Sequence, residues 1–419
     1  MIFQKSSMIC RTLRKKISMA KSAYLGGICG MGMAPLAILL KGEDMNVCGF
    51  DDNPDNRVVE LLKSHNISVS DKINENIKSD LFVISTALAS RFPEKNKILR
   101  RGECFAKFCE SRKLVAIVGS HGKTTVTNMC ANAIHANNLN AGWMVGAMPM
   151  SISPARHCEK ENFFFSEIDE SDGTIENFSP EICCALNYDL DHTYTYNNNN
   201  DLKQMFVRLF SRTKKLVLIP SNDKVLLECA KESKKPFEIV DVSDSKNFFD
   251  IDKKIAESLL KIVFGNSFNP ESLDSFGGTF RRQEILKDTK NFIAIADYAH
   301  HPNEVEAFLN WLNEKYDLPK VIFFQPHRYT RTKRFFIEFR EALEKANTSK
   351  NQVYILPVYP ASEPFDENAC SEKIAENSFL KNILFADMQD IIKNATKNEK
   401  VCIAFIGAGN IYFEAKKII

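Results

Sequence analysis

The segment Gly119-Ser-His-Gly-Lys-Thr-Thr125 follows the apolar run Val115–Val118 and precedes a helical stretch. Two glycines leave backbone N–H groups free to surround phosphate oxygens at a helix start, and a lysine next to them can neutralise β- and γ-phosphates. Lys123 is that lysine, and the Thr124 hydroxyl is the hard oxygen donor that a magnesium ion prefers. Ile117 stands where the common eight-residue phosphate loop has its first glycine, so the loop is a shortened variant. The bland reading is an ordinary strand-turn-helix junction.

Two acidic blocks follow at the ends of apolar runs, Phe165-Ser-Glu-Ile-Asp-Glu-Ser-Asp172 and Asn187-Tyr-Asp-Leu-Asp-His192. In open α/β sheets the carboxyl ends of strands line the ligand crevice, so Glu167 and His192 are candidates to converge on a metal beside Thr124. Taken singly, each block could be a solvated turn. Further on, Asp297-Tyr-Ala-His-His-Pro302 and Gln325-Pro-His-Arg-Tyr-Thr-Arg331 again close apolar runs. Arg328 and Arg331, three apart, could grip a carboxylate with paired hydrogen bonds, against the alternative of a solvated basic turn. Five of the eight histidines, His121, His192, His300, His301 and His327, fall inside these blocks, a clustering that favours chemistry over incidental placement.

The elements that must hold these groups read as repeated α/β units. A strand from Ala23, a glycine turn Gly26–Gly32, a helix Met33–Lys41 and a strand Asn46–Phe50 ending at Asp51 open a nucleotide-binding βαβ unit. Strands are predicted at Leu81–Ser85, Leu114–Val118, Phe163–Ile168, Ile182–Asn187 and Leu216–Pro220, and Lys95–Ser111 as mainly helical. A polar region, Ser233–Lys254, is expected to interrupt the pattern. Strands then return at Phe292–Ala296, Val321–Gln325, Val353–Pro357 and Val401–Ile406, between helices Pro302–Tyr316 and Thr332–Ala346. The boundaries drawn are 1–22 as a basic extension, 23–112, 113–270 and 271–419.

Composition narrows the class. At 419 residues, 44% hydrophobic and 26% charged, the chain can fold as about three domains. The 55 basic and 53 acidic side chains nearly cancel, so no overall field draws nucleic acid or an anionic membrane. Twelve cysteines without zinc-knuckle spacing suit a reducing cytoplasm. Ser22–Leu40 carries no charge after a basic lead, yet its glycines and Pro35 dilute it, which argues against membrane insertion.

Gly-Ser-His-Gly-Lys-Thr-Thr, Glu-x-Asp-Glu-Ser-Asp-Gly, Ser179-Pro180 and Asp-x-Asp-His together resemble the Mur ligase superfamily, in its muramate–alanine branch. The resemblance implies three domains: a Rossmann-like N-terminal domain that binds a UDP-sugar, a shortened central P-loop ATPase domain, and a Rossmann-like C-terminal domain for the amino acid. It implies ATP-dependent joining of L-alanine to UDP-N-acetylmuramate in peptidoglycan synthesis, with ATP and Mg²⁺. Gly119, Ser120, His121, Gly122, Lys123, Thr124 and Thr125 would hold ATP, with Asn247 near adenine and with Arg282 and Asp297 from the last domain. Thr124, Glu167 and His192 would bind magnesium. Gly27, Gly30 and Gly32 resemble the turn that receives the UDP pyrophosphate, where a tight structural turn is the alternative. Asp51 is placed for the nucleoside, or for a helix cap or surface turn. Tyr298, His300, Arg328 and Arg331 would form the L-alanine site, and Gly407–Ile411 matches the closing turn of the superfamily. Two rivals are a sister ligase that recycles muropeptides and a silent UDP-sugar-binding relative. The oligomeric state is not written in the sequence.

Overall fold

The computed structural model describes residues 19–419 except 53, 75–76, 86–87, 89–97, 170–172, 190–198, 246, 275, 277 and 362. The chain divides into two compact units, Met1–Gly277 and Gly278–Ile419.

The first unit holds two sheets. In the first, β1 (Ser22–Gly26), α1 (Met33–Gly42), β2 (Asn46–Phe50), α2 (Asn56–Ser64), β3 (Ser68–Ser70), β4 (Leu81–Ile84), β5 (Ile98–Arg100) and α3 (Arg101–Cys109) follow one another. The strands are all parallel in the order β3-β2-β1-β4-β5. The uncharged stretch that could suggest a membrane segment is β1, its turn and α1, whose buried Leu36, Leu39 and Leu40 join the core. No helix among the described residues is long and apolar enough to cross a membrane.

The second sheet comprises β6 (Lys113–Val118), α4 (Lys123–Ala136), β7 (Ala141–Met144), β8 (Ala155–Arg156), β9 (Phe163–Glu167), β10 (Ile182–Ala185), α5 (Asn199–Arg212), β11 (Leu216–Pro220), α6 (Lys224–Ser233), β12 (Phe237–Val240) and α7 (Phe248–Phe264). Its order is β12-β11-β10-β6-β9-β7-β8, parallel except for the short β8. The strand before the phosphate loop is therefore central, flanked by β9 and β10. All but its first residue is buried, as expected of a parallel strand covered on both faces. One hydrophobic cluster runs through both sheets, from Leu25 and Leu36 to Phe164, Phe206 and Phe210. Arg112 lies buried at their junction, donating to the carbonyls of Phe108 (2.8 Å) and Cys158 (3.0 Å) and paired with Glu43.

Ser233–Lys254, expected to break the pattern, instead contributes β12 and the start of α7. As an edge strand β12 keeps only one partner, so Glu238 and Ile239 can remain exposed and its alternation is too short to read. Lys95–Ser111 also differs, because the short strand β5 precedes α3.

The second unit is one sheet of β13 (Glu284–Asp288), β14 (Phe292–Asp297), β15 (Lys320–Phe324), β16 (Asn351–Ile355), β17 (Lys381–Asn382) and β18 (Val401–Ile406), in the order β13-β14-β18-β15-β16-β17. Only β13 is antiparallel. The helices Pro302–Lys315 (α8) and Tyr329–Ala346 (α9) pack with β15, β16 and β18 in one cluster, while Ile411–Ile418 closes the other face. The wholly apolar β18 is buried along its length.

Candidate active site

The phosphate loop owes its shape to two glycines. Gly119 (φ +133°) and Gly122 (φ +79°) occupy backbone conformations that side chains resist, and a Cβ on Gly119 would meet the Asn187 backbone nitrogen at 3.0 Å. The segment after β10 braces the loop. The Asn187 side chain accepts from the His121 N–H (2.9 Å) and donates to the His121 carbonyl (3.0 Å), mimicking a strand partner. Ser120 Oγ donates to the Asp189 carbonyl (2.7 Å) and accepts from its N–H (3.0 Å), and His121 Nε2 lies 3.3 Å from Asp189 Oδ2. Lys123 folds back over the loop, its Nζ 2.6 Å from the Gly119 carbonyl.

Thr124, in the first turn of α4, donates its hydroxyl to Glu167 Oε2 at 2.7 Å. Glu167 ends β9, one strand away, and its other oxygen accepts from the Gly146 N–H. Burial pushes the Glu167 carboxyl above its usual range; the Thr124 hydroxyl, the Gly146 N–H and the Lys123 charge pull it back. Two oxygen donors on adjacent elements beside a lysine suit a hard divalent cation. Thr125 lies in the same turn, partly buried. His192, the third candidate for that ion, lies outside the described residues. Asn247 caps α7, its side chain accepting from the Asp250 N–H at 3.0 Å.

At the other glycine turn, Gly27 (φ +73°) and Ile28 donate to the Phe50 carbonyl, and Gly30 donates back to Gly27. α1 then begins at Gly32 with no side-chain cap and no acidic residue in its first turn. Asp51 accepts from the Cys29 N–H at 2.9 Å, so its side chain braces the turn. Arg101, from α3, lies over Gly32: a Cβ there would be 2.9 Å from its Nη1.

In the second unit, the carboxyl ends of β14, β15 and β18 bring together Asp297, His300, His327 and the Gly407–Asn410 turn. Asp297 is buried and accepts from the Gln283 and Ala299 N–H groups (both 2.8 Å); burial pushes it up to about 6 against the pull of Arg282. His300 Nδ1 is 3.0 Å from the Tyr298 carbonyl, and its ring is 5.8 Å from that of His327, which stacks on Tyr359 at 5.5 Å. Burial lowers His300 to about 4 and His327 to about 3, with Arg331 adding to both, so both rings are neutral near pH 7. Arg328 starts α9 at φ +72° and lies 3.8 Å from Glu363. Arg282 lies 3.7 Å from Glu304 and over the Tyr298 ring.

Of the sequence-predicted groups, the structure brings Thr124 and Glu167 together beside the phosphate loop in the first unit, and Tyr298, His300 and Arg282 in the second. It adds Gly146, Asn187, Asp189, Gln325, Arg281 and Glu304. Asn187 and Asp189 sat in an acidic block already noticed, whereas Gly146 and Arg281 carried no signal that would separate them from their neighbours.

Residues 117–269 match the Mur ligase middle domain. The chain is 28% identical to the UDP-N-acetylmuramate–L-alanine ligase of Fusobacterium nucleatum, over 96% of this chain and 97% of that protein. Among solved structures, the UDP-N-acetylmuramate–alanine ligase of Thermotoga maritima superposes with a TM-score of 0.76 at 20% identity, covering 95% of this chain and 98% of that one. A murein peptide ligase from Psychrobacter arcticus gives 0.70 at 16%, with the same coverage. The fold is that of the three-domain Mur ligases.

Proposed function

We propose that this chain, which matches the Mur ligase middle domain over residues 117–269 and resembles muramate–alanine ligases along its full length, joins L-alanine to UDP-N-acetylmuramate, driven by ATP, in the cytoplasmic phase of peptidoglycan synthesis. The observation that carries the reading is the Thr124–Glu167 bond behind a lysine-bearing phosphate loop at the centre of a parallel sheet. In this reading 23–112 receives the UDP-sugar at Gly27, Gly30 and Gly32, 113–270 receives ATP, and 271–419 receives the amino acid.

A carboxylate oxygen is a poor leaving group, so amide formation needs an acyl phosphate first. The muramate carboxylate attacks the γ-phosphorus and ADP departs; the alanine amine then attacks the acyl carbon and phosphate departs. Lys123 and the loop N–H groups stabilise charge spreading over the transferred phosphoryl group. Thr124 and Glu167 would hold magnesium, with His192 as a third ligand, and the ion would supply additional charge neutralisation at the phosphates. Arg331 and Arg328 grip the amino-acid carboxylate. The surrounding guanidinium groups disfavour an ammonium ion, which promotes the free amine that must attack.

The decisive experiment is phosphate release from ATP and magnesium with UDP-N-acetylmuramate and a panel of amines, run for the wild type and Lys123→Ala. Alanine-dependent release in the wild type, lost in a folded Lys123→Ala protein, is the expected result. Full turnover by that variant would contradict the phosphate-loop role, and release with a peptide instead of alanine would move the protein to the recycling ligases.

A further inference from the structure

Arg281, next to Arg282, is tied to both a glycine turn and a cluster of rings. Its guanidinium donates to the carbonyls of Gly407 (2.9 Å) and Gly409 (2.7 Å). It also lies over three rings, with its central carbon 4.7 Å from the Tyr298 centroid, 5.2 Å from Tyr412 and 5.7 Å from Phe413. The backbone is held as firmly: the Arg281 N–H donates to Glu284 (2.8 Å), whose other oxygen accepts from the Tyr412 hydroxyl (3.0 Å). This circuit keeps Arg281 at φ +58°, in the left-handed region that residues with a side chain avoid. Strain of that kind persists only where the surroundings overdetermine it. The Gly407–Gly409 turn is in turn pinned by Gln325, which bonds Asn410 (2.7 Å) and the Ile411 N–H (3.0 Å).

We propose that Arg281 is the positioning residue of the amino-acid site, tying the Gly407–Gly409 turn to the Tyr298 ring and so fixing the wall against which the amino acid is held. The inference rests on the function proposed above. Tyr298 leads on to His300, ring to ring at 5.5 Å, and from there to His327. Loosening Arg281 therefore displaces aromatic and imidazole groups without removing a group that touches the amine.

The test measures KM for alanine, ATP and UDP-N-acetylmuramate, together with thermal stability, in wild type, Arg281→Lys and Arg281→Met. Lysine keeps the charge over the rings but loses the planar guanidinium that stacks on them and whose Nη2 donates to both carbonyls. The expected result is an alanine KM raised about tenfold or more in Arg281→Met and less in Arg281→Lys, with the other two KM values within about twofold. An unchanged alanine KM in Arg281→Lys, or a parallel rise of all three, overturns the proposal, and the lysine variant decides alone if Arg281→Met does not fold. A wild type that shows no alanine-dependent turnover refutes the underlying function instead.

Discussion

Gly146 offers a way to disturb the Thr124–Glu167 pair without touching either residue. It follows β7 with φ outside the left-handed region, so alanine is compatible with its backbone. Yet a Cβ there would come within 2.9 Å of the Glu167 carboxyl carbon, and nearer still to Oε1. Relieving that overlap requires the carboxylate to retreat by roughly 1 Å, since ordinary contacts begin near 3.4 Å. Glu167 cannot retreat and keep both its bond from the Gly146 N–H and the 2.7 Å bond from Thr124. A displacement of about 1 Å at a reacting centre is worth about 100-fold in rate, or roughly 2.7 kcal/mol. Gly146→Ala is therefore expected to lower kcat/KM for ATP-dependent phosphate release about 100-fold. Its melting temperature should fall only modestly, because the buried carboxylate loses a hydrogen bond worth about 1–3 kcal/mol while the added methyl recovers about 0.4–1 kcal/mol by reducing the freedom of the unfolded chain. The assay is initial-rate phosphate release at saturating alanine and UDP-N-acetylmuramate, with circular dichroism to verify folding. A folded Gly146→Ala protein within about threefold of wild-type kcat/KM would refute the claim that Glu167 must hold this position.

Arg331→Ala should raise the alanine KM by about 10- to 100-fold, the range expected from losing a charge-assisted hydrogen bond of about 1.5–3 kcal/mol, while leaving the ATP KM unchanged; equal alanine dependence in the two proteins would remove Arg331 from the carboxylate grip. Asp297 has its pKa raised from 3.8 to about 6, so the folded chain holds a proton there that the unfolded chain has released. That stabilisation is complete below pH 3.8 and is lost as pH rises through about 6, a change of about 3 kcal/mol. Denaturant unfolding between pH 4 and 7 should show this contribution in the wild type and not in Asp297→Asn, and identical slopes would exclude Asp297 as its source.

Much of the architecture was legible because parallel strands buried on both faces must be almost continuously apolar. β2, β11 and β18 match the sequence-based bounds for this reason. The phosphate loop was legible because only glycine tolerates the backbone at 119 and 122, and because a lysine and a threonine must follow in fixed order. Edge elements were not. β12, with a single partner, can stay half polar, and β13 pairs antiparallel with a bulge that breaks its alternation.

The amino-acid sequence by itself determined which residue types stand at the strand ends, since that follows from local spacing: Lys123, Thr124 and Glu167 in one unit, His300, His327 and Arg331 in the other. Tertiary structure alone decided what each of them meets. Gly146 reaches Glu167 across 21 positions, Asn187 reaches His121 across 66, and Arg281 reaches Gly407 across 126. Contacts at such separations are set by strand order and by the crossover helices, and periodicity along the chain carries no record of them.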